Sequence, residues 1–247
     1  MVGGVTVRFA GRAWYDAFLG ASGLRKASEA SGVVNRERLV STFLELLTID
    51  GPSLHEAAMA AAVEERLRYL GISPRRDEVG AAIGGERGNI VAALSGSIPC
   101  TVLLSAHLDT IRPTRDVVVR REEDKISGDG RSILGADNRA GVAMVLETLA
   151  ALKEAGVAHA TVEVLFTVAE EIGLLGAKHF DYARLGAQVG FVADGGKDID
   201  TVISSGPYHS RFRVKVIGRA AHAAVHPEEG INAIVIASRA ISGMRLG

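Results

Sequence analysis

Cysteine is nearly absent from this chain. Cys100 is the only one among 247 residues, which excludes a disulfide framework and points to a reducing compartment, so a cytoplasmic location is expected. A surplus of either charge is missing too: 28 Lys and Arg stand against 29 Asp and Glu, a formal net charge of −1. That balance offers no electrostatic basis for binding nucleic acid or an anionic membrane surface, and neither is expected as a partner. No apolar run approaches the roughly 18 residues that span a bilayer. The first stretch, MVGGVTVRFAGRAWYDAFLG, interrupts its apolar residues with Arg8, Arg12 and Asp16, so it does not read as a secretory signal. What remains is a globular composition, 47% hydrophobic and 23% charged, with material for one or two domains.

The most informative stretch is Thr161–Gly176, TVEVLFTVAEEIGLLG. Val162, Val164, Leu165, Phe166 and Val168 form a short apolar run rich in β-branched and aromatic residues, which predicts a buried strand of a largely parallel sheet. The run ends in two adjacent acids, Glu170 and Glu171. Charged pairs in loops are ordinarily solvated surface, so this pair acquires meaning only if other strands end in the same way. They do. Asn89–Leu94 and Thr101–Ala106 read as strands, and the second leads into His107 and Asp109. Val189–Ala193 reads as another and leads into Asp194. Asp137 and Asn138 precede the helix predicted over Val142–Lys153 and closed by Gly156, where capping alone would explain one of the two.

Around these lie a helix capped by Asn35, with Leu39, Val40, Phe43, Leu44 and Leu47 on its apolar face, and a second helix from Ser53 to Gly71, with Glu56 completing a capping box. An exposed hairpin is predicted over Asp116–Ser127 and a short helix near Leu174–Phe180. Residues 1–34 read as an extension of unknown role and residues 35–205 as the catalytic domain. A boundary near Gly206 leaves 206–247 as part of a lid, with a one-face-wet strand over Tyr208–Ile217 and a helix from Ile231 to about Met244. The fold class expected is α/β: a mostly parallel sheet with helices on both faces, plus a partial α+β lid.

Short βαβ crossovers imply parallel strands whose tips share one edge. In open α/β sheets, ligands bind outside the carboxyl ends of the strands. Five carboxylates on that edge would repel one another unless cations neutralise them. Imidazole and carboxylate donors suit Zn²⁺, Co²⁺ or Mn²⁺ better than a thiolate metal, and a carboxylate bridging two ions is a recurrent hydrolytic design.

The motifs Ser-Ala-His107-Leu-Asp109-Thr, Gly-Ala-Asp137-Asn138-Arg-Ala-Gly, Thr-Val-Ala-Glu170-Glu171-Ile-Gly, Val-Ala-Asp194-Gly and Gly-Arg-Ala-Ala-His222-Ala resemble the co-catalytic zinc exopeptidases. That family includes peptidase T, carboxypeptidase G and succinyl-diaminopimelate desuccinylase, and the order and spacing are closest to its peptidase T-like branch. The resemblance, from about Asn35 onward, implies metal-dependent hydrolysis of short peptides by a hydroxide held between two divalent ions, with zinc the metal expected. It implies that His107 and Asp194 bind one ion, Asp137 bridges both and Glu171 binds the second. Glu170 would be the general base, Asp109 would support His107, and His222 on the lid would polarise the substrate carbonyl, in dimeric relatives across a homodimer interface formed by the lid. It also implies a cis peptide bond at Asp137–Asn138. Two departures are local: Asn138 stands where many relatives have a second Asp, and Ala224 where Gly is usual. A third is an absence: the family's further His ligand, far toward the C-terminus, has no counterpart up to Gly247, so the chain by itself is expected to be C-terminally truncated and an incomplete peptidase. The same motifs serve amidohydrolases acting on N-acyl amino acids, and a metal-binding chain without activity is the non-enzymatic alternative.

Overall fold

Asn35 opens the first helix, as its side chain predicts. Its Oδ1 accepts the Arg38 N–H at 2.9 Å, and α1 runs over Arg36–Leu47. The computed structural model describes residues 34–123, 125–195, 202–203, 205–206 and 212–244; the extension predicted over 1–34 lies, but for Val34, outside them. The second helix, α2, covers Ala57–Tyr69 and begins later than the Ser53 capping pattern predicts. Ser53 Oγ is spent elsewhere, donating to Asp109 Oδ2 at 2.6 Å, and Glu56 is fully buried. A tertiary acceptor has outcompeted the local cap.

Next come β1 (Arg75–Arg76), α3 (Val79–Ile83), β2 (Ile90–Leu94) and β3 (Ile98–His107). The predicted hairpin is present as β4 (Val119–Arg121) paired antiparallel with β5 (Ile126–Gly128). Helix α4 (Ala136–Ala155) closes at Gly156, whose left-handed φ of 59° is the conformation glycine supplies most easily. Then follow β6 (Ala160–Thr167), α5 (Leu175–His179) and β7 (Val189–Val192).

The five-stranded sheet has the order β1-β2-β6-β3-β7. Strand β3 runs parallel to both β6 and β7, whereas β2 is antiparallel to β6 and β1 to β2. The α/β architecture is as expected, with a mixed sheet whose parallel part is β6, β3 and β7. The antiparallel turn has a simple cause: the link 95–97 between β2 and β3 is too short for a crossover. Register puts Val102, Leu104 and Ala106 beside Val162, Val164 and Phe166, and these beside Leu94, Ala92 and Ile90. That face joins one core with Leu46 of α1, Met59, Val63 and Leu67 of α2, and Val142, Leu146 and Leu149 of α4. Burying one such side chain is worth about 1.5–3 kcal/mol. Arg38 fastens α1 to α4, its Nε 2.6 Å from the buried Glu147 Oε2.

The chain divides into two compact units between Thr201 and Val202. In the second, Asn232 caps α6 (Ala233–Ser242) through bonds from the Ile234 and Val235 amides at 2.9 and 3.2 Å, and Arg219 bridges to Ile231. The strand predicted over Tyr208–Ile217 lies partly outside the described residues, and its described part, 212–217, forms no strand. Phe212, Val214 and Ile217 are exposed there. An alternating pattern becomes a strand only where a ladder partner exists, and among the described residues of this unit none pairs with it.

Candidate metal centre

Because β6, β3 and β7 are parallel, their carboxyl ends share one edge of the sheet. His107 is the last residue of β3, Glu170 and Glu171 follow β6, Asp194 follows β7, and Asp137 opens α4. Two sets of donor atoms there each lie within 4.8 Å of one another: His107, Asp137 and Asp194, and His107, Glu170 and Glu171. His107 Nε2 stands 2.9 Å from Asp137 Oδ1, 3.8 Å from Asp194 Oδ1 and 3.9 Å from Glu170 Oε2. The imidazole is buried, while the Asp137, Asp194 and Glu170 side chains are 70%, 34% and 27% exposed. The cluster is open to solvent on one side.

Local chemistry explains how Asp137 comes to face outward. The bond between Asp137 and Asn138 is cis, as the motif implies. Asn138 Oδ1 accepts the Gly141 N–H at 3.0 Å and so does the capping, which leaves the Asp137 carboxylate to face His107 Nε2. Gly141 permits the close approach of α4 to the end of β7. A Cβ there would lie 2.0 Å from the Ala193 carbonyl oxygen and 2.1 Å from Asn138 Oδ1.

Asp109 is a hub rather than a prop for His107 alone. It is fully buried and receives the Glu170 amide at 2.9 Å, the Glu171 amide at 3.1 Å and the Ser53 hydroxyl at 2.6 Å. His107 Nδ1 faces its main-chain oxygen at 3.1 Å and its Oδ1 at 3.3 Å. Behind this layer lies Arg139, fully buried, donating to the carbonyls of Leu108 and Ile49. Burial pulls its guanidinium down to about 10 against the pull of Asp109, Asp50 and Glu56.

The electrostatics favour added positive charge. Burial opposes protonation of His107, but the Asp109 hydrogen bond and charge, with Asp194 and Asp137, outweigh it and raise the imidazole to about 9. Burial, and repulsion among the carboxylates, raise Glu170, Glu171 and Asp194 above the ordinary carboxylate range. The edge therefore gathers protons where a cation would otherwise neutralise it. Nitrogen and oxygen donors on one open edge fit divalent ions of the Zn²⁺ type.

His222 belongs to the second unit, where it is exposed and its Nδ1 accepts the Ala224 N–H at 3.3 Å. The motif reading missed Ser53, Glu56, Asn89 and Arg139. Arg139 did leave a signal, since it shares a helical stripe with Val142, Ala143 and Leu146 and is a charge in an apolar face.

Residues 89–228 match the profile of Peptidase family M28. The chain belongs to that family. Its zinc-exopeptidase motifs and its relatives agree in placing this M28 chain in the peptidase T-like branch. YqjE of Bacillus subtilis (strain 168) is 38% identical over 216 residues, 87% of this chain and 58% of YqjE. Two crystal structures are similar at 32% identity, each over 87% of this chain and 58% of theirs. They are the aminopeptidase PepT from Bacillus cereus, with TM-score 0.71, and a tripeptidase from Staphylococcus aureus, with TM-score 0.74. The M28 chain thus spans less than two thirds of the length of these relatives. Among its described residues no helix is long and apolar enough to cross a membrane.

Proposed function

We propose that this chain carries the catalytic core of a metal-dependent hydrolase that cleaves peptide bonds in short peptides, an aminopeptidase of the peptidase T type. One observation carries the reading: His107, Asp137, Glu170, Glu171 and Asp194, scattered over the sequence, meet at the carboxyl edge of parallel strands. In this reading His107 and Asp194 would hold one divalent ion, Glu171 would hold a second, and Asp137 would serve both. Two zinc ions there would supply charge to neutralise the carboxylates, activate water and polarise the scissile carbonyl.

The remaining steps fall to the chain itself. Asp109 accepts from the Nδ1 side of His107, which turns the Nε2 lone pair toward the acids and fixes the ring. Glu170, partly exposed beside His107, takes the proton of the attacking water and returns it to the departing amine. His222 is assigned to the substrate carbonyl on its motif. The exposed apolar residues Ile234, Ile236 and Ile241 of α6 support pairing of two copies through the lid. The single cysteine supports a cytoplasmic setting.

The test is metal content against turnover. In a chain completed to the length of its relatives, Glu170→Gln should keep its zinc after desalting while turnover of di- and tripeptides falls by roughly 10²–10⁴-fold, the usual worth of a general base. Glu171→Gln should lose part of the zinc. A folded chain that takes up no zinc would refute the reading, and reversed phenotypes would exchange the two roles.

A further inference from the structure

Four consecutive amides at the tip of β6 are each held by a side chain from elsewhere in the fold. The Val168 N–H goes to Asn89 Oδ1 at 3.1 Å, and the Ala169 N–H to Glu56 Oε1 at 2.9 Å. Those of Glu170 and Glu171 go to the two oxygens of Asp109 at 2.9 and 3.1 Å. Asn89, Glu56 and Asp109 are all 0% exposed.

The Glu56 bond lies where the backbone least favours its own conformation. Ala169 has φ +52° and Leu54 has φ +73°, a region that L residues rarely adopt. Glu56 Oε1 accepts the amides of both, each at 2.9 Å. Its Oε2 is buried without a partner. A carboxyl buried with one oxygen unmatched is a costly way to fill space that an apolar side chain would fill more favourably. What an apolar side chain could not provide is an acceptor at the Ala169 amide, immediately before the two acids.

We propose that Glu56 is a positioning residue: by holding the left-handed turn at Ala169 it aims Glu170 and Glu171 at the edge where His107 stands. The inference rests on the roles proposed above for those acids. Since the Oε1 acceptor is what acts, Glu56→Gln should behave as the parent chain, and Glu56→Ala should not.

The experiment titrates the 247-residue chain and both variants with Co²⁺ alone, following its visible absorption, and reads amide exchange at 168–171 by NMR. Glu56→Ala is expected to weaken the Co²⁺ that depends on Glu171 by about 10–100-fold, the usual effect of losing a group that orients metal ligands. The Co²⁺ held with Asp137 and Asp194 should stay within about twofold. Exchange should accelerate at Ala169, Glu170 and Glu171, and Glu56→Gln should restore both readouts. If Glu56→Ala does not fold, Glu56→Asp, which withdraws the acceptor by one methylene, is read in its place. Unchanged Co²⁺ binding and exchange, or equal weakening of both ions, would overturn the proposal, as would a Gln variant as damaged as the Ala variant. A parent chain that takes up no Co²⁺ refutes the metal reading instead, and the exchange comparison still decides whether Glu56 holds the turn.

Discussion

Asp109→Asn changes one oxygen to an amide nitrogen in a fully buried position, and its cost can be worked from the donors around it. Oδ1 faces the Glu170 amide and His107 Nδ1, while Oδ2 faces the Glu171 amide and the Ser53 hydroxyl. Ser53 can rotate to accept, but a backbone N–H cannot. Whichever way the new side chain lies, its NH₂ confronts one of the two amides and leaves that donor unpaired, at about 1–3 kcal/mol. The surviving bonds also lose their charge assistance, about another 1 kcal/mol. Relief of repulsion in an acidic cluster acts the other way. The balance is legible in Asp109 itself: burial raises its pKa, but bonds from His107, Ser53, Glu170 and Glu171 outweigh burial and hold it below the ordinary carboxylate range. The folded state therefore prefers this group charged, and neutralising it destabilises. The sum is about 2–4 kcal/mol, or roughly 4–16 °C in melting temperature for a domain of this size. Thermal and urea unfolding followed by circular dichroism, in chelator at pH 7, reads it directly. An Asn variant within about 0.5 kcal/mol of the parent would refute the hub assignment.

Two further perturbations test other parts of the fold. Gly141→Ala puts a methyl group against the Ala193 carbonyl, and the forced separation should cost about 1–3 kcal/mol and lower zinc content by displacing Asp194; a variant with parental stability and zinc would contradict the close approach. Glu64 is buried between Arg76 and Arg68, and although burial raises its pKa, the arginine hydrogen bonds hold it below the ordinary carboxylate range. Since the unfolded chain then takes up the proton first, its contribution is present above the ordinary glutamate value of about 4.3 and is lost as pH falls further. Unfolding of Glu64→Gln should accordingly show a shallower loss of stability than the parent between pH 5 and 3, and parallel curves would exclude the pair as a source of acid sensitivity.

What could be read in advance was whatever repeats locally. The caps at Asn35 and Gly156, the apolar strands and the acids at their tips are all encoded within a few residues of where they act. The support layer is not encoded that way. Ser53 and Glu56 match a capping box, and nothing nearby in sequence announces that Asp109 and the Ala169 amide would claim them. The antiparallel run of β2 follows from the length of a link rather than from its own composition, which reads the same in either direction. Tyr208–Ile217 alternates as a strand does, yet residues 212–217 have no ladder partner among the described residues.

The turn carrying Glu170 and Glu171 also has a place in time. Its four amides reach acceptors 79, 113, 61 and 62 residues away in sequence, so these bonds cannot form within a local segment, although the turn's carbonyls are bonded locally. Each contact waits on loop closure across much of the first unit, and closures of that span come late in folding. Contacts made after the rate-limiting step leave the folding rate unchanged and act on the rate of escape. Loosening this turn should therefore show as faster unfolding, with refolding hardly slowed. All three acceptors, Glu56, Asn89 and Asp109, precede Val168 in the chain, so on the ribosome the residues that will seize the turn are made before the turn itself.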